Sequence, residues 1–262
     1  MTSAPSEQNP ILETIKTVVY ALLIAGLFRT LLFQPFWIPS ASMKETLLIG
    51  DFLFVNKMAY GYSKHSCPFA MCPIEGRIFA SDPERGDVVV FTHPVTGETY
   101  IKRLIGLPGD RVQMKDGQVI LNGEALPQTD AGEFREPNLP QGGAQRLPSC
   151  ARRDAATNEC VWDRATETLP GGRSYEVLNI TNSGNLDNTG VFTVPEGQFF
   201  FMGDNRDDST DSRVPQVPYG GVGFVPFENL IGRADRVIFS SAGQRILYFW
   251  TWRSDRFFHA IN

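Results

Sequence analysis

Histidine and cysteine are scarce in this chain of 262 residues, with three of the first and four of the second. That scarcity narrows the chemistry before any motif is read. Only His65, His93 and His259 are available as imidazole bases or metal ligands. The cysteines fall into two sequence-local pairs, Cys67 with Cys72 and Cys150 with Cys160, whose spacings lack the paired C-x2-C knuckles of structural zinc. There is no internal repeat, no dinucleotide fingerprint and no phosphate-binding loop. Positive charge is in deficit too: a formal net charge of −5 argues against nucleic acid as the main partner. Long amphipathic periods are also missing. The chain instead has 24 Gly, 18 Pro and 19 Phe among short apolar runs, which favours strands and turns over a helical bundle. This length suffices for one large domain, or one with an inserted subdomain.

One apolar stretch is long enough to matter by itself. Residues 15–36 are mainly apolar, interrupted by Lys16, Thr17, Arg29, Thr30 and Gln34. A span needs about 20 such residues, so these form a transmembrane anchor behind an N-terminal tail, 1–14. Arg29 is its weak point, because a mid-bilayer arginine costs roughly 2.5–3.5 kcal/mol, and snorkelling from a late position would reduce that cost. A cleaved signal peptide is the competing reading, with Ser40-Ala41-Ser42 as its small-residue site. Cleavage there would discard the residues with the strongest chemical signal, so the anchor is the better reading. An exported domain in an oxidising compartment would close the two cysteine pairs as local disulfides.

Beyond the anchor, strand-like runs occur at Phe52–Asn56, Val88–Thr92, Thr99–Ile105, Val119–Leu121, Phe199–Met202 and Arg236–Phe239. Asp116-Gly117 and Asn122-Gly123 are hairpin-turn signals around the Val119 strand. The fold class expected is mainly antiparallel β: a membrane-anchored β catalytic core, an inserted loop-rich β subdomain and one N-terminal transmembrane helix. The expected boundaries are 37–125 and 195–245 for the core, 126–194 for the insert and 246–262 for an aromatic C-terminal segment. That segment's run Ile246–Trp252 is too short to cross a bilayer and is read as packing on the core.

Three blocks carry chemistry. The first is Pro39-Ser40-Ala41-Ser42-Met43, directly after the anchor, where two hydroxyls behind a proline can present a nucleophile and an oxyanion donor together. The second is Tyr100-Ile101-Lys102-Arg103-Leu104-Ile105-Gly106. In a strand, Lys102 shares a face with Tyr100 and Leu104, and desolvation there lowers an amine's pKa toward neutrality. The third, Gly203-Asp204-Asn205-Arg206-Asp207-Asp208-Ser209-Thr210-Asp211-Ser212-Arg213, is dense in turn formers and charge. In it Asp211 and Arg213 can pair, and Ser209 can orient an amine. An EF-hand reading of this block fails, because Arg206 stands at a ligand position and the expected glycine is missing, so no metal is expected. The base stays open at this level: Lys102 leads, Lys44 lies close to Ser42, and a histidine-based triad is not excluded by composition.

These blocks resemble those of bacterial type I signal peptidases, also called leader peptidases. The resemblance runs through Gln34–Tyr62, Arg85–Val112 and Phe199–Ser240, and includes Leu47-Leu48-Ile49-Gly50-Asp51 after the serines and Leu107-Pro108-Gly109-Asp110 after the lysine. It implies that Ser42 is the nucleophile and Lys102 the general base, in a serine–lysine dyad passing through an acyl-enzyme. Ser40 and the Ser42 amide would form the oxyanion hole, Ser209 would orient Lys102, and Asp211 with Arg213 would support the site. Phe36, Ile38, Leu47, Tyr100 and Ile101 would line shallow pockets for small side chains at −3 and −1 of an extended signal peptide, bound by strand addition. No cofactor is implied. The implied partners are preprotein signal peptides, membrane lipid and the neighbourhood of the export machinery, with no nucleic acid. The implied location is the bacterial plasma (inner) membrane, single-pass, with the catalytic domain on the periplasmic, extracytoplasmic side. Two features depart from many members: Glu45 where they carry proline, and one N-terminal span rather than two. A tethered chaperone of exported chains, using the same groove without Ser42 or Lys102, is the non-enzymatic alternative.

Overall fold

The computed structural model describes residues 9–67, 70–143, 145–217, 220–243 and 248–261. Its one α-helix runs Pro10–Leu31, 22 residues that extend about 33 Å at 1.5 Å per residue. Pro10 takes the first helical turn, where a missing N–H costs nothing, and the Asn9 side chain accepts the Ile11 amide at 3.1 Å. None of the helix is buried, and among the described residues it is the one helix long and apolar enough to cross a membrane.

The helix starts and ends about five residues before the expected 15–36. The cause is Pro35: it has no amide to give, and it pushes Gln34 out of helical geometry. Phe33–Trp37 forms an edge strand instead, where a proline is tolerated. Arg29 consequently lies in the last turn of the helix, the position from which snorkelling is easiest. Of the expected tail 1–14, residues 1–8 lie outside the described residues.

The main sheet has seven strands, in the order Phe33–Trp37, Asp51–Asn56, Leu230–Ser240, Val88–Thr92, Thr99–Gly106, Gln198–Met202 and Val225–Pro226. Every neighbouring pair is antiparallel. One face packs Met43, Leu47, Leu53, Val55, Val88, Val90 and Val237; the other packs Val89, Phe91, Leu104, Phe201 and Leu230. The alternation of Val88 to Phe91 between these clusters is the period-two signature of a strand buried on both faces.

The region expected to be loop-rich contains two ten-residue strands, Gln128–Pro137 and Glu159–Thr168, flanked by Arg152–Asp154 and Ser174–Asn179. Their side chains are mostly polar because much of this sheet faces solvent, so the apolar alternation that marks a strand is faint. The boundary at 126 is not sharp either. The Arg111–Lys115 strand pairs with Phe192–Thr193, and Val112, Met114, Val119 and Leu121 share a core with Leu169, Tyr175 and Val177 of the insert. Asp116-Gly117 and Asn122-Gly123 all take left-handed φ, as the tight turns at these positions require.

Of the C-terminal run, Ile246 and Leu247 lie outside the described residues. Trp252 and Phe257 pack on Phe239 at 4.9 and 5.1 Å, whereas Phe249 and Trp250 are exposed. Cys67–Cys72 and Cys150–Cys160 are both closed as disulfides. Peptide mapping under non-reducing conditions is expected to recover both bridges. Replacing Cys150 and Cys160 together by serine is expected to lower stability by about 2–4 kcal/mol, read from the shift in denaturant midpoint.

Candidate active site

The edge strand Phe33–Trp37 and its partner Asp51–Asn56 run together as far as the Ile38 amide, which bonds to Asp51 O at 2.9 Å. The chain between them is forced outward, and Ser42 sits on that turn. Two backbone bonds wind it, Lys44 N to Ala41 O at 3.0 Å and Leu47 N to Met43 O at 2.7 Å. The third block holds the turn from behind: Asn205 donates its amide to Ser42 O at 3.2 Å and its side chain to Ala41 O at 3.1 Å.

Lys102 reaches this turn from the strand Thr99–Gly106. Its Nζ donates to Ser42 Oγ at 2.6 Å and to Ile101 O at 3.0 Å, and lies 5.6 Å from the Tyr100 ring. The residue is 4% exposed. Burial pushes the amine down to about 8, against the upward pull of Asp211, Asp204 and Asp208. The Ser40 and Ser42 hydroxyls lie 3.5 Å apart.

Two of these three carboxylates, Asp204 and Asp211, are themselves paired with arginine. Asp204 takes two bonds from Arg103, at 2.8 and 2.7 Å, with both side chains buried. Asp211 takes two from Arg213, at 2.9 and 2.8 Å, and one from the Gly203 amide at 3.0 Å. Burial alone would raise the Asp211 carboxyl, but the Arg213 charge and these bonds hold it below the usual carboxylate range. Ser209 is buried against this network, yet its hydroxyl has no hydrogen-bond partner of good geometry. It makes no bond to Lys102; its electrostatic neighbour is Asp211.

Ser40, Ser42, Tyr100, Ile101 and Lys102 line one cavity of about 330 Å³, together with Asp208, Thr210, Pro39, Glu98 and Thr99. Phe36, Ile38, Leu47 and Ile101 belong to a single apolar cluster behind it, in which Ile38 is 2% exposed and Leu47 fully buried. Of these only Ile101 reaches the cavity surface; Phe36, Ile38 and Leu47 lie in the cluster beneath it. Among the described residues no histidine lines it. His93 accepts the Val95 and Thr96 amides on Nδ1 and contacts Gly221 O through Nε2. Lys44 is turned away as well, its amine bound to Glu136 and Gln141.

The strand bearing Lys102 also offers something no motif announced. On one side Thr99–Arg103 pairs fully with Val88–Thr92, but on the other Gln198–Met202 stops opposite Arg103. The Thr99–Lys102 edge beside the cavity therefore has no strand partner among the described residues. Asn205, Asp208 and the Arg103–Asp204 pair were also without an assigned role from sequence, since their partners lie far away in the chain.

A serine hydroxyl bonded to a desolvated amine, opening on an unpaired strand edge a few residues beyond an apolar helix, has the makings of a membrane-anchored serine hydrolase. Comparison with known proteins agrees. The family model described as signal peptidase, peptidase S26, matches residues 11–239. The signal peptidase I of Rickettsia typhi is 40% identical over 238 residues, 87% of this chain and 80% of its own. That of Rickettsia canadensis is 40% identical over 235 residues, 86% and 79% of the two chains. A crystal structure of a signal peptidase I from Enterococcus faecalis, 27% identical, covers 58% of this chain and 97% of its own with a TM-score of 0.30. The chain belongs to the peptidase S26 family of signal peptidases. It is thus a membrane-anchored serine endopeptidase that removes signal peptides from preproteins.

Two outcomes follow from the packing. A Cβ on Gly203 would collide with the Ser209 side chain and come within 2.5 Å of Ser42 O, so Gly203→Ala is expected to displace the serine turn and cut kcat/KM. A loss of about a hundredfold, with about 1–3 kcal/mol of stability, is the expected size, measured by kinetics and denaturant unfolding. The amine titrates near 8 when folded and near 10.4 when unfolded, so between those values the unfolded chain binds the extra proton and stability rises with pH. Lys102→Met should abolish that slope and raise stability at pH 7 by about 1–3 kcal/mol, read from urea midpoints across pH.

Proposed function

We propose that this enzyme cleaves exported preproteins after small residues at −3 and −1 through a Ser42–Lys102 dyad and an acyl-enzyme. The observation that carries the reading is the 2.6 Å hydrogen bond between Lys102 Nζ and Ser42 Oγ in a site where burial depresses the amine. In its neutral form Lys102 takes the Ser42 proton as Oγ attacks the scissile carbonyl. The oxyanion that forms meets the Ser40 hydroxyl and the Ser42 amide, which has no other acceptor among the described residues. The protonated amine returns its proton to the departing amino group of the mature chain, leaving the signal peptide as an ester on Ser42. Water, deprotonated by the same lysine, then releases it.

The substrate would lie as an added strand along the open Thr99–Lys102 edge, reading its small side chains against Tyr100 and Ile101 with Phe36, Ile38 and Leu47 as the floor beneath. A shallow surface over a filled core accepts alanine and leaves no depth for a larger side chain. Asp211 and Arg213 hold the loop that grips Ser42 from behind, and Ser209 fills the space under Gly203. In this reading the helix lies in lipid, and the catalytic domain stands on the extracytoplasmic face of a bacterial plasma membrane, where export machinery would deliver its substrates. What supports that side is the need to meet signal peptides as they emerge.

Detergent-solubilised enzyme incubated with a preprotein carrying an Ala-x-Ala site should cut after that site, as read by N-terminal sequencing of the product. Ser42→Ala and Lys102→Met should each fold and nearly abolish the cut, while Ser40→Ala should lose up to about 10²–10³ in rate. Cleavage by Ser42→Ala at the wild-type rate would sink the assignment, and tight binding without cleavage by wild type would favour a chaperone. Because only the neutral amine serves as base, kcat/KM should rise with pH to a plateau, its midpoint near the Lys102 value of about 8.

A further inference from the structure

Lys44 has no part in the chemistry above, yet it is 1% exposed and stands two residues after Ser42. Its ammonium forms an ion pair with Glu136, contacts Gln141 Oε1 at 3.4 Å, and lies 4.9 Å over the Trp162 ring. All three partners belong to the inserted subdomain: Glu136 to the strand Gln128–Pro137, Trp162 to its neighbour Glu159–Thr168, and Gln141 to the turn that follows Glu136. The next two residues of the serine turn are tied down as well. Glu45 pairs with Arg164 of the same insert at 3.1 Å, and Thr46 donates to Asp204 Oδ2 at 2.5 Å.

A buried lysine is a poor device for stability alone. Its desolvation consumes most of the gain from its partner, and a methionine of similar volume would pack with equal or better effect. What an ion pair supplies that a methionine cannot is a fixed direction. The turn needs one. Glu45 holds a left-handed φ of 43°, a conformation disfavoured for a non-glycine residue that survives only where its surroundings impose it. Beyond the backbone bonds of the turn, Lys44 before that residue, Arg164 on it and Thr46 after it supply side-chain ties that brace it.

We propose that Lys44 is a positioning residue: through Glu136 it locks the serine turn onto the inserted subdomain and so sets the Ser42 hydroxyl at bonding distance from Lys102. The insert then acts on the rate of the chemical step rather than on substrate binding, because its contact with the turn lies behind the nucleophile, outside the cavity. This rests on Ser42 being the nucleophile.

The test is a double-mutant cycle on the full-length enzyme, Lys44→Met, Glu136→Gln and the pair, with Ser42→Ala in the same preprotein assay. Each single variant should lose about ten- to a hundredfold in kcat, the usual consequence of misplacing a reacting atom by about 1 Å, with KM within about threefold of wild type. The double variant should lose no more than the worse single one, since both remove the same tie. The exchanged pair Lys44→Glu with Glu136→Lys should recover part of the lost kcat. Wild-type kcat in Lys44→Met and Glu136→Gln, or a loss confined to KM, overturns the proposal. If Lys44→Met fails to fold, Glu136→Gln decides, because it keeps the shape and a neutral hydrogen bond. Cleavage by Ser42→Ala would instead overturn the nucleophile assignment, an outcome separate from any result on Lys44.

Discussion

Keeping an amine dry beside a serine hydroxyl sets the terms for the rest of this molecule. A lysine buried on a central strand loses water readily, but the loop that must hold the serine is rich in aspartates. Each unpaired carboxylate within a few ångströms would stabilise the ammonium and undo the effect of burial. The structure answers with arginines: Arg103 on Asp204 and Arg213 on Asp211, both pairs two-pronged and buried. Only a planar guanidinium fills two carboxylate oxygens at once, so lysine would not substitute. These ion pairs are therefore better understood as charge management for Lys102 than as sources of stability, which buried pairs rarely provide.

The same loop organises the insert. Arg206, three residues after Gly203, reaches Glu167 with two bonds at 2.6 and 3.2 Å, both side chains buried, while Tyr175 hydrogen-bonds the same carboxylate. Arg103 stacks on the Tyr175 ring at 4.0 Å. The insert's strands are thus joined to the catalytic loop through a continuous polar network, every member of which has a partner across the boundary. Together with Lys44 and Arg164, this makes the insert a wall of the site rather than an ornament on the fold. Removing it would strip partners from at least three buried charges at once.

Much of this could be read in the residues, and the reasons for the rest are physical. Val88–Thr92 and Thr99–Ile105 were recognisable because β-branched and aromatic density marks a central strand, and the Asp-Gly and Asn-Gly dipeptides because few other residues tolerate left-handed φ. Ser42, Lys102, Asp211 and Arg213 stand in short motifs, and the fold brings Lys102 to Ser42 and Arg213 to Asp211. The anchor was misplaced by about five residues because apolarity alone ignores Pro35, whose missing amide decides where the helix gives way to a strand. The insert reads in the sequence as a loop-rich β subdomain, but its individual strands are not located there, because polar side chains on solvent-facing strands blur the alternation. Lys44 with Glu136 and Arg206 with Glu167 are pairs 92 and 39 residues apart in the chain, and a single sequence has no way of announcing such partners.

The short connection between helix and site has its own consequence. The helix ends at Leu31, the edge strand starts at Phe33, and the serine turn follows that strand. This connection is not a free tether. Leu32 O accepts the Lys57 amide at 3.0 Å, Tyr62 donates to Leu31 O at 2.6 Å, and Phe28 of the helix packs on Phe33 at 6.0 Å. A flexible linker would let the domain sample many orientations about the helix, whereas a braced one fixes the open strand edge relative to it. Under the proposed mechanism a signal peptide's own apolar segment would share the bilayer with this helix, and both cleavage site and strand edge would be restricted to a thin layer. The encounter would then be a two-dimensional search at matched height, and the shallow pockets proposed above would suffice, because confinement raises the effective concentration.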